Sequence, residues 1–255
     1  MSTLQFTNET TSDGVVERDF TVGDIPGVLW TPESGASGGP LILIGHNSTF
    51  HKRAPGVVGR ARHYVTTYGF SAAAIDAPGH GDRPRSDQDK RWDDARDRAR
   101  AAGEPLGPVV ADYYGSLAER AVPEWRATLD ALQSLPEIGS EVGVGYEGMT
   151  LAAAIGIPLV AAEPRIGAAV IGGIFAWESL LAAARQITVP IQYLVAWDNP
   201  VLDRQCGFDL YDAFSSEQKT LHANPGGQHQ IPRFEVDDAA RFFARNLGAG
   251  AVGRT

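Results

Sequence analysis

The sequence predicts an α/β protein, a central and mostly parallel sheet with helices on both faces. Short apolar runs alternate with segments of helical spacing through short loops, which calls for a parallel sheet covered on both sides. One run, Glu141–Gly156, passes from strand to helix within a few residues: Val142, Val144 and Tyr146 alternate with Gly143 and Gly145, and after Gly148 comes Met149, then Leu151 to Ile155 as a buried helix. With 255 residues, 43% of them hydrophobic, the chain can bury one large core, so a single domain over 1–255 is expected.

Taken in order, Val15 to Trp30 reads as an antiparallel pair turning near Gly23-Asp24, and Thr31–Pro40 as a surface loop. Leu41–Gly45 is a central strand, followed at once by His46-Asn47-Ser48-Thr49. Pro55–Tyr68 is helical, with Val57, Val58, Ala61 and Tyr64 spaced for one face, and Phe70–Asp76 is the next buried strand. The densely charged stretch Arg83–Arg100 reads as a solvated helix or mobile excursion, or else as a small cap over about 83–107 whose Trp92 closes a pocket. Gly107–Leu135 is a long helix burying Tyr113, Leu117, Val122, Trp125, Leu129 and Leu132. Ile166–Ile174 and Ile187–Trp197 are strands flanking a helix from about Trp177 to Arg185. A short helix (Phe208–Phe214), an edge strand (Thr220–Ala223) and a closing helix (Val236–Leu247) complete the chain.

A net charge of −9 argues against nucleic acid or an anionic membrane as the main partner. No apolar run reaches membrane-spanning length, and the N-terminus lacks a basic region followed by an apolar core, so a cytoplasmic protein is expected. Cys206 is the sole cysteine, which excludes intramolecular disulfides. The six histidines show no metal-ligand spacing, so neither metal nor cofactor is expected. The expected partner is a small carbonyl substrate. The sequence leaves the oligomeric state open, a homodimer included.

A strand turning sharply into a helix, with small residues two before and two after a hydroxyl, is the nucleophile-elbow pattern. Here it is Gly148-Met149-Thr150-Leu151-Ala152, with threonine in the nucleophile slot. Three further features accompany it: His46 directly after a central strand, the turn Asp76-Ala-Pro-Gly-His-Gly-Asp82, and the chain order of elbow, acid turn and histidine loop. Together these resemble the α/β-hydrolase superfamily, in particular its compact esterase-like and dienelactone-hydrolase-like members, over roughly residues 15 to 248. The resemblance implies the α/β-hydrolase fold with at most a small cap.

It also implies a nucleophile, a base, an orienting carboxylate and backbone donors for an oxyanion. Thr150 takes the first role, at a positive φ that a β-branched residue adopts only with strain. A plainer role for its hydroxyl is to cap the helix. For the carboxylate the resemblance favours Asp198, in Ala196-Trp-Asp-Asn-Pro-Val201. An ungapped overlay puts Asn199 in its place, and Asp203 is a third choice. For the base it favours His229 after Asn224-Pro-Gly-Gly-Gln228, with Gln228 competing for the slot. His222 and His80 fit less well, and His51 and His63 read as surface or packing residues. The oxyanion donors would be the N–H of Leu151 and one from Asn47 or Ser48. Glu147, a carboxylate in an otherwise apolar strand, is a possible acid or base, or a hydrogen-bonding partner of a neighbouring loop. His46, Phe175, Trp177, Tyr113, Tyr114 and Trp92 are candidates to line a substrate pocket.

The expected function is hydrolysis of a small ester, lactone or related carbonyl compound through a Thr-His-Asp triad. Two alternatives stand beside it: a non-hydrolytic isomerase, epimerase, cyclase or lyase using the same oxyanion hole, and a ligand-binding protein without catalysis.

Overall fold

The computed structural model describes residues 3–35, 38–199, 204–226 and 231–248. Within them a nine-stranded sheet runs in the order β1-β2-β3-β5-β4-β6-β7-β8-β9. Strands β1 (Leu4–Ser12), β2 (Val15–Val22) and β3 (Ile25–Pro32) form an antiparallel meander, and β3 meets β5 (Ser71–Ile75) antiparallel. From β5 onward the pairing is parallel, through β4 (Leu41–Ile44), β6 (Val144–Met149), β7 (Ile166–Gly172), β8 (Ile191–Ala196) and β9 (Lys219–Asn224).

Helices cover both faces. The helices α3 (Gly107–Gln133), α4 (Leu151–Ala162), α5 (Glu178–Ala184) and α6 (Arg204–Ala213) pack on one side around Trp125, Tyr146, Ile155 and Tyr193. The helices α1 (Pro55–Tyr68) and α7 (Arg233–Leu247) pack on the other around Tyr64, Ile42, Val170 and Phe243. The alternation along β6 decides which side chain goes where: Val144 and Tyr146 join the first layer, Met149 the second.

Strand β1 differs from expectation, and the charged stretch takes the helical form among those expected of it. Strand β1 has no counterpart in the sequence reading, because eight of its nine residues are exposed and polar residues dominate both faces, leaving no apolar alternation. The charged stretch is an ordered helix, α2 (Asp87–Ala102), started by a reciprocal capping box between Ser86 and Asp89. Asp89 is buried and accepts from Arg120 of α3 at 2.7 Å, which fastens α2 to the fold. No helix among the described residues is long and apolar enough to cross a membrane.

Candidate active site

Thr150 stands between β6 and α4 at φ 56°, ψ −115°, one of two non-glycine residues with positive φ among those described. The turn is tight enough to explain its flanking residues. A Cβ on Gly148 would come within 2.8 Å of the backbone and side chain of Ala152, so both positions must stay small. The hydroxyl does not cap the helix: Oγ1 donates to Asn47 Oδ1 at 3.0 Å. The N–H of Leu151 is among the first amides of α4, which lack partners within the helix and face the positive end of its dipole.

The loop after β4 is held by buried hydrogen bonds. His46 is 4% exposed, and its Nε2 accepts from the Ala77 N–H at 3.0 Å. Its proton therefore sits on Nδ1, which donates to the Asn47 carbonyl at 2.8 Å. Burial lowers the His46 pKa to about 4, against an opposing pull from the bond to Asn47, so the ring stays neutral. The Asn47 carbonyl also accepts from the Phe50 N–H at 3.0 Å. With that carbonyl fixed, the N–H of Ser48 in the same trans peptide points the opposite way. Ser48 is exposed and hydrogen-bonds Tyr114, whose pKa burial raises despite that bond.

Asp76 anchors the neighbouring turn. It accepts from the Lys52 N–H (2.8 Å), Lys52 Nζ (2.8 Å) and the Asp82 N–H (3.0 Å), while Lys52 Nζ also reaches Asp82 at 2.5 Å. Burial alone would raise the Asp76 pKa, but the Lys52 and Asp82 hydrogen bonds outweigh it and hold the carboxyl below its usual range. A Cβ on Gly81 would sit 2.3 Å from that carboxylate, which explains the glycine. This is a structural clamp under the His46 loop.

Asp198 follows β8 and is exposed. Its Oδ2 accepts the Gly226 N–H at 3.1 Å, tying the β8 turn to the segment after β9. Asn199 lines a small cleft with Gly173, Tyr193 and Arg204. His229, Gln228 and Asp203 lie outside the described residues. Of the other histidines, His51 is exposed, His63 pairs with Asp237 at 2.7 Å, and His80 stands 5.5 Å from His46 ring to ring.

A cavity of about 440 Å³ opens between α1 and α7 beneath the His46–Phe50 loop. Met149, Val170 and Leu194 line it from the sheet, Val57 and Arg60 from α1, and Glu235 and Val236 from α7. Glu147 lies on its wall with both oxygens engaged, Oε1 by Arg60 Nη1 at 2.8 Å and Oε2 by the Tyr64 hydroxyl at 2.7 Å. Its odd carboxylate is thus half of a part-buried ion pair, and no hydrogen bond or ion pair among the described residues joins it to Thr150. Sequence reasoning missed Arg60, Tyr64 and Glu235. Only the charge within an apolar strand hinted that a partner must exist.

The aromatic candidates lie elsewhere. Of the pocket residues expected from sequence, His46 lines the cavity, whereas Trp92, Tyr113, Phe175 and Trp177 do not. They form, with Tyr114, one continuous row Trp92–Tyr113–Tyr114–Trp177–Phe175 with ring centres 5.3 to 6.4 Å apart. Tyr114, bonded to Ser48, brings that row to the loop after β4. For a metal, tertiary structure rather than sequence spacing groups His222, Glu235 and Asp238, with ligand atoms within 4.8 Å of one another. Protein donors already occupy these carboxylates: His222 Nδ1 (2.8 Å) and Asn224 Nδ2 (2.7 Å) bond Glu235, and Arg241 pairs with Asp238.

No protein-family model and no curated protein matches the sequence. Solved structures do. A cold-adapted esterase from an Arctic intertidal metagenomic library, in a PEG-bound complex, is 28% identical with a TM-score of 0.74, over 95% of this chain and 99% of the other. An acetyl xylan esterase from Paenibacillus sp. R4 matches at 14% identity and TM-score 0.67, over 97% and 90%. An esterase from Pyrococcus furiosus matches at 12% and 0.65, over 97% and 94%. The last two speak to the fold alone. With the strand order and the strained strand-to-helix turn already described, these likenesses make the chain an α/β-hydrolase-fold protein of the esterase-like kind.

Proposed function

We propose that the protein hydrolyses a small ester or lactone, with Thr150 as nucleophile, His229 as base and Asp198 as the carboxylate that orients it. The single observation behind this reading is the Thr150 backbone. Holding a β-branched residue at positive φ costs on the order of 1–3 kcal/mol, a strain that persists where a reacting group must be presented. The 28% identical cold-adapted esterase supports the reaction class.

In the free site the hydroxyl donates to Asn47. Attack requires it to leave that bond, pass its proton to the base and join the carbonyl carbon as the oxyanion meets the Leu151 and Ser48 N–H groups. Collapse breaks the bond to the leaving alcohol, which takes the proton from the base. Water then attacks the acyl-threonine, giving a proton to the base and releasing the acid, and the proton returns to Oγ1. Glu147 has no part in these steps, because Arg60 and Tyr64 hold both its oxygens.

The test is turnover of short-chain p-nitrophenyl esters by wild type, Thr150→Ala and Thr150→Ser. Wild type should be active, Thr150→Ala should lose at least about a thousandfold, and Thr150→Ser should keep or exceed wild-type activity. Undiminished activity in Thr150→Ala would sink the assignment. The bond from Thr150 to Asn47 favours one second reading, a non-hydrolytic reaction at the same oxyanion hole. A silent wild type with an active Thr150→Ser variant would select it.

A further inference from the structure

We infer that the cavity between α1 and α7 is the acyl subsite of this enzyme, and that it takes a medium-length apolar acyl group ending in a neutral oxygen. This rests on the esterase reading and adds a substrate class to it.

The first argument is position. Asn47, which accepts the Thr150 hydroxyl at 3.0 Å, is itself part of the cavity wall, and so is Met149, the residue before Thr150. An acyl group bonded at Thr150 therefore has an apolar space one side chain away. The second argument is size. About 440 Å³ lies within the range of small-molecule sites, and far exceeds what an acetyl group fills. The wall toward Thr150 and along both helices is mostly apolar, through Met149, Val170, Leu194, Val57 and Val236.

The third argument is the chemistry of the inner end. Glu147 lies two residues before Met149 on the same strand face, about 7 Å deeper along β6. Arg60 meets it there through Nη1, while its Nε donates to the Gly56 carbonyl at 2.9 Å. The Nη2 of Arg60 has no protein acceptor among the described residues, and the side chain keeps 18% exposure beside the cavity. A ligand that displaces water from this end must therefore supply an acceptor. Glu147 already balances the Arg60 charge and Glu235 adds a second carboxylate to the lining, so a neutral ketone or hydroxyl oxygen fits better than an anion.

The probes are four methyl esters followed by pH-stat: methyl acetate, methyl hexanoate, methyl 5-oxohexanoate and monomethyl adipate. Wild type should prefer 5-oxohexanoate to hexanoate, and hexanoate to both acetate and the anionic adipate. Val57→Phe on α1 and Val236→Phe on α7 fill the cavity from opposite walls. Each should lower the hexanoate-to-acetate ratio of kcat/KM by about tenfold or more. A melting curve shows which variants fold; should one fail, the other wall decides, and should both fail, the wild-type order decides. Turnover of acetate with an unchanged ratio in folded variants would overturn the subsite and leave the esterase reading standing. So would a wild-type preference for acetate. A wild-type preference for adipate would overturn the neutral-oxygen end. No turnover of any ester would overturn the esterase reading and the subsite with it.

Discussion

The two faces of β6 use the same strand for opposite ends. Toward α3 and α4, Tyr146 is fully buried, bonds the Ala152 carbonyl at 2.7 Å, and meets Trp125 edge-on at 6.0 Å. Glycines shape its slot: a Cβ on Gly156 would lie 2.0 Å from its ring, and one on Gly45 2.7 Å from its hydroxyl. Toward α1 and α7, Glu147 pairs with the part-buried Arg60, and Met149 faces open space. The first face spends its residues on close packing, which fixes the elbow. The second gives up packing beside the same elbow and keeps a charged pair in compensation. In this molecule rigidity and vacancy are separated by one strand, with Thr150 at its end.

Breaking the packed face should cost most. Tyr146→Ala removes a fully buried ring and should destabilise by about 4 kcal/mol, read as a lower urea midpoint. On the open face, Glu147→Leu leaves the Arg60 guanidinium unpaired and should cost about 3 kcal/mol. Arg60→Met with Glu147→Leu removes both charges and should recover much of that loss. If the double variant is no more stable than Glu147→Leu, the pair is not the reason the carboxylate is tolerated.

A pH-dependent effect, reaching its full size only near pH 4, sharpens the contrast at the loop above both faces. His46 is held neutral with its pKa lowered to about 4, whereas in the unfolded chain it titrates near 6.5. Between these values the unfolded state binds more protons, so stability should fall as pH drops from about 6.5 toward 4, by up to about 3 kcal/mol. His46→Gln should lack this share of the slope. Parallel pH profiles for the two proteins would show that His46 does not carry it.

Most of the fold was legible because the parallel strands are apolar runs and their boundaries are marked by glycine, proline and aspartate. Strand β1 was not, since an exposed polar edge leaves no period to read. The placement of Thr150 and Leu151 at the strand-to-helix turn, and of His46 and Asn47 just after β4, was legible because one local turn and one strand end define them. The partners of Glu147 were not: Arg60 and Tyr64 lie more than 80 residues away and meet it only when α1 packs on the sheet. The aromatic residues illustrate the same limit. They are neighbours in space, as expected of a shared wall, but on the α3 side rather than around the cavity. Residue type alone does not assign a side chain to one wall or the other.

The central claim is that Thr150 is the nucleophile, and covalent trapping addresses it most directly. The protein would be treated with a fluorophosphonate ester and digested, and the adduct located by peptide mass spectrometry. The account predicts one phosphonyl group, carried on Thr150 and absent from Thr150→Ala. Active enzyme that is inhibited through an adduct at another residue, with Thr150 unmodified, would contradict it.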